Sequence, residues 1–186
     1  MPRSGKEARE RLAKAALELV AERGFDAVTT AEIAERAGVT ERTYFRHFAD
    51  KREVLFDGER MLAEWVTDAL ASVPLEVPVW PAMRRTVELI VAPLEDNRRD
   101  GDRLAAIIAS TPALLERAVS KEAHLVALIT ELLVNRGAPA DDAALAARTA
   151  WGVLAYAVGV WRAQPGTMLQ VHVARGFSLL TGLVGA

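Results

Sequence analysis

The sequence predicts an all-α protein, and three observations carry that prediction. Alanine, the residue of highest helix propensity, occurs 34 times in 186 residues and is spread from end to end. Apolar positions repeat at three- and four-residue spacing, the period of one helix face. Helix stops and starts, Gly or Pro followed by Thr or Asp, recur between those runs, and no alternating strand pattern is seen. About nine helices are expected, as an N-terminal three-helix head over residues 1–50 and a C-terminal helical bundle over residues 51–186.

Composition narrows the function classes. A chain of this length buries roughly 70% of its unfolded surface, so it needs no staples. It has no cysteine, which excludes disulfide scaffolds, thiolate metal sites and cysteine nucleophiles. Residues 1–20 carry charges throughout and no apolar core run, so no signal peptide is expected. The weakly polar stretch Ala150–Trp161 is shorter than the ~20 residues a bilayer requires. A soluble, cytoplasmic protein is the expectation. The net charge is −2, yet two clusters, Arg3–Lys14 and Arg36–Arg52, are basic, a footprint shared by nucleic-acid surfaces and ordinary solvated helix faces.

The head is punctuated clearly. Leu12, Ala15, Ala16, Leu19 and Val20 form one stripe on a first helix, which Gly24 stops as a left-handed cap. Thr29 and Glu32 form a capping box for a second helix with Ile33, Ala34 and Ala37 inward. Gly38 breaks it with a positive φ, Val39 plugs the corner, and Thr40 caps a third helix, Glu41–Phe48. Asp50 and Glu53 repeat the capping-box pattern for a fourth, expected to run from Lys51 to Ser72. Helix, Gly-containing turn and helix over residues 29–48 fit both a helix-turn-helix and an αα-corner. The third helix carries Arg42, Arg46, His47 and Tyr44 in two turns, more polar reach than packing needs.

Thr29–Leu55, TTAEIAERAGVTERTYFRHFADKREVL, resembles the DNA-binding domain of the TetR family of transcriptional regulators, with similarity over about residues 8–57. The resemblance implies that Thr29, Thr40 and Lys51 meet phosphates at helix starts, and that Thr30 and Thr43 also belong to the DNA-binding surface. It implies that Glu41, Arg42 and Arg46 reach the major groove and that His47 donates to backbone or base edge. Arg42 replaces a frequent Gly and Phe45 a frequent Tyr. Phe45 is therefore expected to be partly core with Tyr44 supplying the hydroxyl, and Phe48 to lie in the core.

Beyond Ser72, Pro74, Pro78 and Pro81 mark a connector. Further helices are read near 80–95, 101–110, 113–135, 141–163 and 167–183. The last two are apolar over most of their circumference, so burial by a second subunit is expected, through Trp151, Ala155, Gly159, Val173, Phe177 and Leu180. An intramolecular core is the plainer alternative. Trp65, Trp80, Met83, Ile107, Leu128, Trp151 and Tyr156, with Arg103 as a polar handle, are pocket candidates, although aromatics at helical spacing also serve as core.

No enzyme is expected. His124 and His172 lack an i+4 ligand partner and are read as surface or interface residues, and no cofactor or metal is expected. The expectation is a DNA-binding repressor, homodimeric on a palindromic operator and released by a small-molecule effector. The alternatives are a helical small-molecule-binding or interaction protein without sequence-specific DNA binding, and, from Arg3–Lys14, a membrane-surface protein.

Overall fold

A computed structural model describes residues 5–184; Arg3 of the first basic cluster lies outside them. The described residues form ten helices and no strand: α1 Gly5–Arg23, α2 Thr30–Arg36, α3 Glu41–His47, α4 Lys51–Leu55, α5 Asp57–Ser72, α6 Val79–Asp96, α7 Arg98–Ser110, α8 Pro112–Asn135, α9 Ala140–Ala163 and α10 Leu169–Val184. The expected fourth helix, Lys51–Ser72, is two helices with a break at Phe56, whose ring is buried.

The chain divides into two compact units. Unit 1 takes the chain up to Met61 together with Arg99–Ser120, and unit 2 takes Leu62–Arg98 and the chain from Lys121 onward. The head is thus larger than the expected residues 1–50. Val54, Leu55, Phe56, Ile107 and Leu114 join Leu12, Leu19, Ile33, Tyr44 and Phe48 in a single apolar cluster. A head of fifty residues has too little apolar area for a firm core, and these residues supply the rest.

Local chemistry in unit 1 follows the sequence closely. Thr29 and Glu32 make the full capping box, each side chain accepting from the other's backbone N–H. At the end of α2 the Val39 N–H donates to the Ala34 carbonyl at 2.9 Å, and the Gly38 N–H to Glu35 at 2.9 Å, with Gly38 at φ 67°. This paired arrangement requires a left-handed residue after the helix, which glycine adopts without strain. Val39 packs against the head core, as expected. Thr40 caps α3 by accepting from the Thr43 N–H, and Asp50 caps α4 by accepting from Arg52 and Glu53. Glu53 turns its carboxylate to Arg117 at the start of α8.

Unit 2 is built around α9. Ala143, Ala146, Ala147, Ala150, Val153, Leu154, Ala157 and Trp161 are buried along it, packed with Met83, Ile90, Leu133, Val173 and Phe177. At 24 residues α9 is longer than the apolar stretch 150–161 suggests, and by length and composition alone it could cross a membrane. Its buried alanine face belongs to the unit's core, and exposed Leu145 and Tyr156 add to the apolarity on the other side. A Cβ on Gly176 would meet Val153 Cγ1 at 2.9 Å, so a side chain there would force the packed Val153 to shift where α10 crosses α9. The ends of α6, α9 and α10 are tied by polar contacts. The Leu169 N–H donates to the Glu95 carboxylate. Arg98 stacks on Trp161 at 4.2 Å, and the Trp161 indole donates to Thr167 at 2.9 Å. His172 is buried against Thr167 at 2.9 Å, correcting its reading as a surface or interface residue; His124 is exposed.

Two predictions follow from the head's polar anchors. Backbone and hydroxyl hydrogen bonds from Thr29, with the Arg23 guanidinium, hold the Glu32 carboxyl at about 2, below its ordinary 4.5. A depressed folded-state pKa stabilises above the unfolded value and ceases to do so as pH falls through the folded one. Urea unfolding of wild type and Glu32→Gln will therefore differ most above pH 4.5, and the gap will close as pH falls toward 2. Lys51 Nζ donates to the Phe25 carbonyl at 2.7 Å and the Val28 carbonyl at 2.9 Å, and lies 4.2 Å from the Phe25 ring centre. Lys51→Met leaves the Val28 carbonyl without this donor and the Phe25 carbonyl with only a long bond from the Val28 N–H at 3.5 Å, so chemical denaturation should report a loss of about 1–3 kcal/mol.

Candidate nucleic-acid interface

α3 divides its residues between two environments. Tyr44 and Phe48 turn inward with ring centres 5.7 Å apart, while Glu41, Arg42, Phe45 and Arg46 are exposed. Arg42, Phe45 and Arg46 stand at i, i+3 and i+4 and so share a face. Neither of the two guanidinium groups has a hydrogen-bond or ion-pair partner among the described residues. A helix of two turns presenting two uncommitted guanidinium groups can donate to acceptors on a rigid neighbouring surface.

The expected exchange of roles between Tyr44 and Phe45 is reversed. Tyr44 is 0% exposed and Phe45 54%. The Tyr44 hydroxyl donates to the Asp50 carbonyl at 3.0 Å, and burial, with the Asp50 charge second, raises its pKa. A phenol so placed anchors the α3–α4 corner and has no hydroxyl left to offer outside. Phe45 meets it edge-on at 5.4 Å with most of its own ring in solvent. Phe48 lies in the core as expected.

The helix starts are brought together. Thr30 Oγ1 donates to Glu41 Oε1 at 2.6 Å, joining the first residues of α2 and α3. Lys51, at the first residue of α4, reaches the Val28 carbonyl just before the Thr29 cap. Thr29, Thr30, Glu41 and Lys51 therefore form one neighbourhood. Lys51 differs from the expectation, because two of its three ammonium hydrogens are committed to carbonyls and it is not a free outward cation. The Thr29 hydroxyl donates to Glu32 at 2.8 Å, and Thr40 and Thr43 share a hydroxyl contact of 3.1 Å.

His47, at the end of α3, is half-buried. Burial, then the nearby charges of Arg46 and Arg9, hold its pKa below the usual 6.5, against an opposing pull from Asp57. Its backbone carbonyl accepts from Arg9 Nη1 at 2.9 Å. The same guanidinium stacks on Phe48 at 4.3 Å and donates through Nε to Asp57 at 2.6 Å. Arg9 and Asp57 were not legible as a pair in the sequence, since an Arg in a basic run and an Asp within the expected helix Lys51–Ser72 both read as surface residues.

The pocket candidates do not line one cavity. Arg103 and Ile107 belong to unit 1, where Arg103 lies 3.6 Å from Asp100 and Ile107 is core. Met83 is core in unit 2, where Trp65 and Leu128 pack against the same cluster, and the half-buried Trp151 donates to Glu122 at 2.6 Å. Unit 2 does contain a groove of about 810 Å³ between the α5–α6 and α8–α9 connections and α10. Of the candidates, Trp80 alone lines it, beside Leu75, Val77, Leu145 and Leu180. Arg136 at its edge is spent on the carbonyls of Leu70, Val73 and Pro74.

The dimer candidates also sort by burial. Val173 and Phe177 are intramolecular core, Trp151 and Leu180 are half-buried, and Ala155 and Gly159 are exposed. The outward apolar surface of α9 and α10 is instead Leu145, Tyr156, Val171, Leu179 and Leu183. Gly152, Tyr156, Leu179 and Leu183 border one shallow depression, which places the two outward stripes side by side.

Comparison with known proteins matches this geometry. The sequence model described as "Bacterial regulatory proteins, tetR family" matches residues 12–57. The chain is 27% identical to the HTH-type transcriptional regulator TcmR of Streptomyces glaucescens, over 72% of this chain and 62% of that one. It is 36% identical to an uncharacterized HTH-type transcriptional regulator of Mycobacterium tuberculosis, over 54% of this chain and 49% of that one. The matches thus span about half to three fifths of those relatives. Among solved structures, Thermus thermophilus FadR, described as a TetR family transcriptional repressor in complex with lauroyl-CoA, superposes with TM-score 0.58 at 26% identity. That match covers 92% of each chain. A putative TetR-family regulator from Syntrophomonas wolfei shares the fold at TM-score 0.68 and 17% identity, over 98% of this chain and 97% of that one. Residues 12–57, from the first helix through the first residue of α5, thus match the tetR family of bacterial regulatory proteins, and the chain as a whole shares the all-helical fold of the regulators it superposes on.

Proposed function

We propose that the chain is a sequence-specific DNA-binding transcriptional regulator, a repressor that binds a palindromic operator as a homodimer and is released by a small-molecule effector. The observation that carries the reading is α3, locked inward by Tyr44 and Phe48 while Arg42 and Arg46 project uncommitted from the opposite face. A guanidinium fork matches the two acceptors on the major-groove edge of guanine, the commonest base-specific contact. Thr29, Thr30, Thr40 and Thr43 border that face and would set the register on the backbone, while Glu41 would accept from a base edge in the major groove. Tyr44 contributes by holding the α3–α4 corner, and Lys51 by tying the start of α4 to the turn before α2. Phe45 offers its exposed ring to apolar contacts such as a thymine methyl.

Homodimerisation rests on the outward apolar stripe of α9 and α10. Leu145, Tyr156, Leu179 and Leu183 are exposed large apolar residues on neighbouring helices, and a contiguous patch of this kind marks an interface. A two-fold dimer would present two copies of α3 to successive major grooves ~34 Å apart. The effector site is the groove beside Trp80, whose volume and largely apolar walls suit a small apolar ligand. The relative crystallised with lauroyl-CoA supports an effector of that character. Release requires that the ligand bind one dimer geometry better than the other.

Selection of duplexes from a random library by the purified chain tests the reading directly: enrichment of a palindrome supports it, and enrichment of nothing counts against it. On the selected duplex, Arg42→Ala should cost ~1–3 kcal/mol and relax preference at one position per half-site. Equal losses on selected and random DNA would remove Arg42 as a base reader. Leu179→Glu should convert the chain to monomer in sedimentation and weaken duplex binding, with helical content unchanged; a dimer surviving that charge would place the interface elsewhere.

A further inference from the structure

We infer that Arg9 and Asp57 are positioning residues for DNA recognition, acting together as a latch on the C-terminal end of α3. The inference rests on the DNA-binding reading above. The Asp57 carboxylate is 4% exposed, a costly burial for a charge unless it is paired. Its partners are Arg9 Nε at 2.6 Å and Arg60 Nε at 3.2 Å. Arg9 then spends its remaining surface on the recognition helix. Nη1 donates to the His47 carbonyl at 2.9 Å, and the guanidinium plane lies 4.3 Å from the Phe48 ring centre.

Each part of this arrangement has a mechanical reason. The last carbonyls of a helix have no partner within it, and a cation there satisfies one of them and meets the negative end of the helix dipole. Arg9 supplies that cation from α1. A guanidinium on a long stem would otherwise sample many rotamers, and the buried carboxylate at the first residue of α5 selects the one that reaches α3. Asp57 thus acts on α3 through Arg9, besides the pull of its charge on the His47 ring. Arg42 and Arg46 lie within two turns of the latched carbonyl, so a tilt of α3 about its N-terminal anchors moves both.

The sign of the expected effect separates this role from plain electrostatics. Asp57→Asn removes one negative charge from the head, which by itself strengthens attraction to phosphates. Loss of the latch has the opposite consequence for the selected duplex. The experiment measures affinity for the duplex selected by wild type and for a scrambled duplex, alongside amide exchange at residues 44–48 of the free protein. Glu10→Gln, a neutralisation on the exposed surface of α1, serves as the charge control. Asp57→Asn should bind the selected duplex about ten-fold more weakly, the scrambled duplex no more weakly than wild type, and exchange faster at residues 44–48 than elsewhere in unit 1. Glu10→Gln should bind both duplexes at least as well as wild type.

Wild-type or tighter binding of the selected duplex by Asp57→Asn overturns the proposal. So does equal loss on both duplexes with exchange raised throughout unit 1, which would make the pair a general support of the fold. Should Asp57→Asn not fold, Arg9→Lys keeps the positive charge while losing the planar fork and the stacking on Phe48, and the same selective loss is expected of it; full retention of specific affinity refutes the latch. If wild type itself selects no sequence, the DNA reading fails, and the exchange data on the free protein still decide whether the pair pins α3.

Discussion

A helix of seven residues does not persist in water, because nucleation fixes several residues before the first hydrogen bond repays it. α3 is such a helix, so its existence and its aim depend on what pins it to the rest of the head. Tyr44 is the central pin. Its ring fills the space among α1, α2 and α4, and its hydroxyl satisfies the Asp50 carbonyl beyond the helix end. Thr40 holds the start, and Arg9 holds the end. With three separate anchors on one face, the other face is free to carry side chains chosen for reach.

The same economy explains the neighbouring segments. α2 and α4, with seven and five residues, are also too short to stand alone. Side chains cap both, and the Thr30–Glu41 and Lys51–Val28 contacts join their starts to those around them. Lys51 shows how a charge that looks like a ligand for phosphate can be consumed by the fold. An ammonium group offers three donors, and the turn before α2 leaves carbonyls at Phe25 and Val28 that no helix satisfies. The Phe25 ring beneath Nζ adds a cation–π contact to that demand.

Features governed by neighbours in sequence were legible from the sequence. The Thr29–Glu32 box, the Gly24 and Gly38 stops, the Thr40 cap and the inward stripe of α1 depend on residues no more than eight positions apart, and each forms as expected. Features decided at long range were not. Tyr44 and Phe45 are adjacent aromatics on one short helix, and helical periodicity alone gives no reason to bury the first; the contacts from α1 and α4 decide it. The head's outer boundary was hidden for the same reason. Ile107 and Leu114 reach its core from fifty residues downstream, across a stretch whose pattern matches any amphipathic helix.

The alanine-rich C-terminal helices show the limit of composition most clearly. An apolar circumference says that α9 is buried on more than one side, without saying which residues face which way. The structure assigns the faces by size. Alanine occupies the inward positions 143, 146, 147, 150 and 157, where α9 lies against its own unit's core. The outward positions carry Leu145, Gly152, Tyr156 and Gly159, an irregular surface of bulk and gap. Under the homodimer reading, a second helix would seat its side chains in those gaps and cover those bulks. Val173 and Phe177 look equally apolar in sequence, yet they close the interior of unit 2. The Gly176 crossing decides between the two roles. With α10 held that close to α9, residues 169, 172, 173, 176 and 177 of α10 face the core at helical spacing, and Leu179 and Leu183, one turn apart, are left outward together.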